Sequence, residues 1–215
     1  MLLAFDTATP LVTVALHDGD DVVVELTAER AMKHAEQLAP LIDRALTDAG
    51  LVRQDLTAIA VGVGPGPFTG LRVGLVTART LAFALDLPVY GVCSLDVLAV
   101  EAVATGAVDP EVAEFAVATD ARRKEVYLAR YDAGGARLEG PLVDKPAALA
   151  TDGPVVGPGA ELYPEAFPHR VGPTAPSAGW LARAVAEERV ELRDPEPLYL
   201  RRPDAEAPHA PKRVS

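Results

Sequence analysis

A chain of 215 residues, 49% hydrophobic and 24% charged, has globular composition and is long enough to bury its own core without staples. A single cysteine, Cys93, excludes an intramolecular disulfide and a thiolate metal cluster, and the four histidines include no His-x-x-x-His pair to hold a metal on a helix. The formal net charge of −11 opposes unaided binding to a polyanion, so any RNA would be held mostly by another protein.

The apolar run Leu2–Phe5 ends at Asp6, Leu11–Leu16 is a second, and the Asp18-Gly19 turn leads into Val22–Leu26; this spacing predicts a three-stranded meander. The start, Met1-Leu2-Leu3-Ala4-Phe5-Asp6, lacks the basic region and longer apolar stretch of a signal peptide. With no uninterrupted apolar run of about 18 residues, a soluble, cytoplasmic chain without membrane attachment is expected. Over Ala31–Ala49, the residues Ala35, Leu38, Ile42, Ala45 and Ala49 recur at helical intervals, which predicts an amphipathic helix ended by Gly50 and kinked or restricted by Pro40. Leu56–Val63 suits a buried strand, Gly64-Pro65-Gly66-Pro67 breaks it, Thr69–Leu85 is a second helix, and Leu87–Val92 a fifth strand. The order predicts an α/β fold, a mixed sheet carrying helices.

A second half begins after Val108-Asp109-Pro110. Phe115–Thr119 ends at Asp120, Val126–Tyr131 follows, and Asp132-Ala133-Gly134-Gly135 turns. Asp6 to Asp18 is twelve positions, and so is Asp120 to Asp132. The match is either chance or the trace of a duplicated fold with a cleft between its halves. Val155–Ala160 reads as a strand entering a glycine-rich turn, and Ala178–Glu188 as a short helix. The expected organisation is a lobe over residues 1–106, a second over 107–202, and a proline-rich, charged tail over 203–215 that buries little and is disordered.

Several residues could carry chemistry. The glycine-rich turn around Gly64 and Gly66 enters a helix that Thr69 could cap, so backbone N–H groups for a phosphate are available. No Gly-Lys-Ser/Thr ends it, and a tight strand-to-helix turn with close backbone packing accounts for the same residues. Asp6 and Asp120 end corresponding strands, where paired carboxylates across a cleft could orient Mg2+ or a water beside phosphates. Ala8 and Arg122 stand where glycines would admit a phosphate, which favours turn-capping roles instead. Cys93, flanked by strand and turn residues, reads as an inert buried thiol, and His34 as a solvated or capping residue at a helix start.

In the second helix Gly70, Gly74, Ala78 and Ala82 form a small-residue stripe at intervals of four, while Arg72, Arg79 and Asp86 recur every seventh position. Such a helix is covered on more than one side, by its own sheet and either by a partner or by the rest of the monomer. If a partner's helix lies on the stripe, Gly74→Leu blocks its approach and leaves the monomer folded.

Gly64-Pro65-Gly66-Pro67-Phe68-Thr69-Gly70-Leu71-Arg72-Val73-Gly74 resembles the GPGSFTGLRIG signature of the TsaB (YeaZ-like) family, with Pro67 in place of the serine. Asp6-Thr7-Ala8-Thr9 resembles that family's opening strand and turn, and His34-Ala35-Glu36-Gln37-Leu38-Ala39-Pro40-Leu41 its H-S-E-x-L-x-P-x helix. Asp120 to Tyr127 resembles its D-A-R-x-G-E-V-Y strand, Lys124 replacing the glycine, and Pro197 to Arg201 its closing Y-L-R. The resemblance covers residues 2 to 201.

The resemblance implies an actin/Hsp70-like (ASKHA) duplicated fold, two lobes each with a mixed sheet and helices, paralogous to the catalytic protein TsaD. It implies a subunit without catalytic or metal-binding residues of its own, since His34 lacks the second histidine of TsaD-type metal sites. TsaD transfers a threonylcarbamoyl group to the N6 of the adenosine 3′ of the anticodon in tRNAs reading ANN codons. A TsaB-type chain is its heterodimer partner and activator, with the ATPase TsaE joining. ATP and Mg2+ are then used by the complex, tRNA is reached through it, and a homodimer forms on the same surface in isolation. The interface implied lies on the first two helices, at Ala35, Leu38, Ile42, Gly70, Leu71, Gly74, Ala78 and Ala82. A nucleotide would meet Asp6, Gly64, Gly66, Thr69 and Asp120. The alternative is an active ATP-dependent phosphotransferase or hydrolase of the same fold; a peptidase finds no site in the histidine and cysteine pattern.

Overall fold

Ten strands form two five-stranded sheets in a computed structural model that describes residues 1–28 and 34–201. β1 (Leu2–Asp6), β2 (Thr13–His17) and β3 (Val22–Thr27) make the predicted antiparallel meander, with Asp6 opposite Thr13. β4 (Ala58–Gly64) lies parallel to β1, and β5 (Val89–Cys93) parallel to β4. In the second sheet β6 (Glu114–Asp120), β7 (Val126–Asp132) and β8 (Arg137–Asp144) repeat the meander, and β9 (Pro154–Val156) and β10 (His169–Val171) follow in parallel. The orders β3-β2-β1-β4-β5 and β8-β7-β6-β9-β10 are the same connectivity twice. This is the duplicated actin-like architecture.

The equal aspartate spacing has a physical cause. The Asp18 carboxylate accepts the amides of Asp20 and Asp21, at 2.9 and 2.8 Å, where β2 turns into β3. Asp132 accepts those of Gly134 and Ala136, both at 2.9 Å, where β7 turns into β8. Each lobe closes its hairpin with an aspartate that accepts two amides of the turn, at i+2 and i+3 in the first and at i+2 and i+4 in the second.

Helix α1 (His34–Asp48) runs through Pro40 and ends at Gly50, whose φ of +68° lets Leu51 bond back to the Leu46 carbonyl at 2.9 Å. Residues 31–33 of its predicted start lie outside the described residues. α2 (Phe68–Leu85) begins one residue before the prediction and ends on Asp86 in the left-handed conformation. Among the described residues it is long and apolar enough to cross a membrane by length and composition alone, but here Leu71, Leu75 and Ala78 bury its inner side with β4 in the first lobe's core. Each such buried leucine contributes about 1.5–3 kcal/mol.

α3 (Ser94–Ala104), α4 (Pro158–Leu162), β8 and β10 are additions to the predicted elements, and α5 (Ala178–Ala186) ends two residues before the expected Glu188. α3 belongs to the first half of the sequence but packs on the second sheet through Leu95, Leu98, Ala99 and Ala102. α5 belongs to the second half but covers the first sheet, with Leu181 and Ala182 against Ala4 and Ala60. Residues 193 to 198 also return to the first lobe, where Arg193 pairs with Gly91 and the Leu198 amide bonds to the Val63 carbonyl at 2.8 Å. A boundary between residues 106 and 107 therefore separates the sheets and not their helices. The tail expected over 203–215 lies outside the described residues.

Candidate functional site

The turn after β1 is fastened to four neighbours. The Asp6 carboxylate, 2% exposed, accepts the Ala8 amide and the Ser94 hydroxyl, each at 2.6 Å. Gly62 on β4 makes room for it, since a Cβ there would lie 1.9 Å from Asp6 Oδ2. Burial pushes the Asp6 carboxyl up from the ordinary range, and the bonds from Ser94 and Ala8 and the His34 ring pull the other way. Thr7 donates its hydroxyl to the Gly70 carbonyl at 2.9 Å. His34 Nε2 donates to the Thr9 carbonyl at 2.7 Å, so this histidine ties α1 to the turn, in place of the solvated or capping role expected.

The glycine-rich loop packs on the same turn. A Cβ at Gly66 would meet the Ala8 carbonyl oxygen at 2.3 Å, and Gly64 holds φ +94° before a cis Pro65. Pro65 and Pro67 have no N–H to offer an anion. Thr69 does not cap α2: the capping position is Pro67, without a side-chain bond, and Thr69 lies exposed in the first turn. Close backbone packing, one of the two readings of this loop, describes what the glycines do.

A cleft of about 350 Å³ lies between the lobes, lined by Ala8, Pro10 and Pro67 on one side and by Asp120, Arg122 and Pro158 on the other. Of the five residues expected to meet a nucleotide, Asp120 alone lines it; Asp6, Gly64 and Gly66 are buried behind it, and Thr69 faces a neighbouring hollow with His34 and Ala35. Asp120 accepts the Arg122 amide at 2.8 Å and pairs with its guanidinium at 3.1 Å. Cys93 is fully buried, and burial pushes its thiol up to about 12, which keeps it protonated and inert.

The helix faces come out inverted from the expectation. Leu38, Ile42, Gly70, Leu71, Gly74, Ala78 and Ala82 are buried inside the monomer, and only Ala35 of the eight is exposed. The small-residue stripe admits the chain's own turn: a Cβ at Gly70 would lie 2.4 Å from the Thr7 carbonyl oxygen, and one at Gly74 2.3 Å from Thr7 Oγ1. Gly74→Leu would therefore strike the monomer's own core. The outward side of α2 is Thr69, Arg72, Val76, Arg79, Thr80 and Phe83, with Val76 62% and Phe83 92% exposed. Their seven-residue separation beside the Arg72/Arg79 stripe was the available signal. The C-terminal segment runs along one flank, Tyr199 accepting from Arg72 at 3.2 Å and Glu196 pairing with Arg79 at 3.0 Å.

A buried polar cluster went unread because α3 did. Asp96 accepts the Tyr131 hydroxyl at 2.7 Å and the Arg137 guanidinium at 3.1 and 3.2 Å, and Arg137 continues to Glu191 at 2.8 Å. Burial raises the Asp96 carboxyl and Arg137 opposes the shift. The cluster pins α3, β7, β8 and the returning C-terminal segment together.

Residues 26–172 match the family described as TsaD, tRNA N6-adenosine threonylcarbamoyltransferase. An uncharacterized protein of Mycobacterium tuberculosis is 44% identical over 210 residues, 95% of this chain and 93% of that protein. The tRNA threonylcarbamoyladenosine biosynthesis protein TsaB of Bacillus subtilis is 34% identical over 150 residues, 69% of this chain and 62% of its own length. The solved structure of YeaZ from Pseudomonas aeruginosa has a TM-score of 0.73 at 33% identity, covering 93% of this chain and 99% of that one.

Proposed function

This chain belongs to the TsaB (YeaZ-like) family, and we propose that it serves tRNA threonylcarbamoyladenosine biosynthesis as a non-catalytic subunit docking on a TsaD-type partner through the outward face of α2. The observation that carries the docking face is Phe83, 92% exposed one helical stripe from Val76 at 62%. The inner side of α2 is already complete, so the fold itself gives no reason for a bare phenyl ring there. Burying such a side chain on a partner contributes about 1.5–3 kcal/mol.

The non-catalytic reading is supported by the two aspartates. Both oxygens of Asp6 are occupied by Ala8 and Ser94, and Asp120 is paired with Arg122. The partner carries the transfer of the threonylcarbamoyl group to adenosine N6, with a TsaE-type ATPase using ATP and Mg2+ in the cytoplasm. This chain acts as a ligand does, by preferring one conformation of the partner. In isolation, a second copy takes the same α2 face. The test is complementation: cells lacking the chain should lose the modified nucleoside, wild type should restore it, and Phe83→Asp should not. Full restoration by Phe83→Asp would refute the reading.

One observation favours a second reading, an ATP-dependent phosphotransferase or hydrolase: the inter-lobe cleft is about 350 Å³ and carries a carboxylate, Asp120. Calorimetry with ATP and Mg2+ decides, since micromolar binding lost in Asp120→Ala would support that enzyme.

A further inference from the structure

We propose that the cavity beside the turn between β6 and β7 binds single-stranded RNA, its phosphates on Lys124 and Lys145 and one base against Tyr163. The proposal deepens the tRNA reading above and rests on it.

The first observation is charge placed against the trend of the molecule. The chain carries a net charge of −11 and four lysines, and two of those, Lys124 and Lys145, line one open cavity of about 810 Å³ with Arg123. Glu165 is the one carboxylate in that lining. Two neighbouring carboxylates are paired with arginines, Asp120 with Arg122 and Glu125 with Arg201. Local positive potential survives in an acidic protein only where the surrounding acids are neutralised in this way.

The second observation is backbone strain at the same residues. Arg122, Arg123 and Lys124 hold φ of 62°, 54° and 62°, three consecutive side-chain-bearing residues in the left-handed region that glycine would occupy freely. The turn is closed by the Ala121 amide on the Glu125 carbonyl and the Glu125 amide on the Arg122 carbonyl, both at 3.0 Å. Its effect is to present Arg122 to the inter-lobe cleft while Arg123 and Lys124 line the cavity next to it.

The third is the shape and the ring. A concave site of this size takes an unstacked nucleotide, whereas a duplex presents its phosphates to an open face. Half-buried Tyr163 is anchored by its amide on the Gly159 carbonyl at 3.0 Å and offers a ring for a splayed base.

The test is fluorescence anisotropy of a labelled single-stranded RNA oligonucleotide with the full chain between about 20 and 200 mM salt, with the same sequence as duplex alongside, and ATP and inorganic phosphate as competitors. Two phosphate contacts predict a log–log salt slope of about −1.4, about −0.7 per contact. Lys124→Gly and Lys145→Ala should each weaken binding several-fold and remove about one contact's worth of slope. Tyr163→Leu should weaken single-strand binding at unchanged slope. Lys124→Gly relieves the left-handed φ, so its unfolding temperature should match or exceed wild type, which separates lost binding from lost fold. Duplex bound as well as single strand, full competition by ATP or phosphate at equimolar concentration, or variants indistinguishable from wild type would each overturn the site. Partner binding is read in parallel: RNA binding lost in Lys124→Gly with the TsaD-type partner retained supports the site. RNA binding by a wild-type chain that captures no partner would leave this site standing and remove the docking proposal.

Discussion

Ser94 donates its hydroxyl to Asp6 at 2.6 Å across 88 positions of sequence, joining the end of the first strand to the start of α3. Asp6→Ala strands two buried donors, the Ser94 hydroxyl and the Ala8 amide, at about 1–3 kcal/mol each. Asp6→Asn keeps an acceptor and sheds the buried charge, and should stay within about 1.5 kcal/mol of wild type. Urea unfolding of the two variants checks the contrast; equal losses would show that the carboxylate's charge matters for a reason other than these bonds.

Gly74→Leu should damage the monomer itself. Its Cβ would sit 2.3 Å from Thr7 Oγ1, so the turn after β1 must move, at a cost of about 1–3 kcal/mol or more. Thermal unfolding of the isolated chain reads this directly. A wild-type melting temperature would mean that the turn yields without penalty.

Arg137→Ala removes the cation facing Asp96, whose side chain is only 8% exposed. Breaking one side of a buried pair costs about 3–5 kcal/mol, whereas Tyr131→Phe removes one hydrogen bond to a charged group, about 1.5–3 kcal/mol. Chemical denaturation of both variants should rank them in that order.

Glu101 gives the fold a pH dependence. Burial, with Glu25 nearby, pushes its carboxyl from 4.5 up to about 7. Below 4.5 it is neutral in both states; between 4.5 and about 7 the native state keeps a proton that the unfolded chain has released. Stability from this group therefore falls as pH rises through that window and levels off above it. Glu101→Gln should remove this component, its stability relative to wild type rising between about pH 5 and pH 8. Denaturant midpoints at the two pH values measure it; a constant difference would contradict the assignment.

The strands of the first meander and the extent of α2 could be read because apolar runs there are bounded by turn residues. α3 could not: eight of its eleven residues are buried, so helical periodicity disappears when every face is apolar. β8 hid because an edge strand carrying Arg137 and Glu139 looks like a loop. The stripe Gly70, Gly74, Ala78, Ala82 announced close approach correctly but not by what; only the fold shows that Thr7 packs on its two glycines and that its alanines lie in the first lobe's core. The exposed pair Val76 and Phe83 was missed by the same logic, since the small residues drew attention from it. The Asp6–Ser94 bond joins distant segments and leaves no local trace.

The outward face of α2 carries the central claim, and calorimetric titration of the chain with its cognate TsaD-type protein tests it most directly. Phe83→Asp and Val76→Asp alter side chains 92% and 62% exposed, so the unfolding temperature should hold while affinity for the partner falls at least about tenfold. Wild-type affinity in both variants would contradict the account and place the contact elsewhere on the chain.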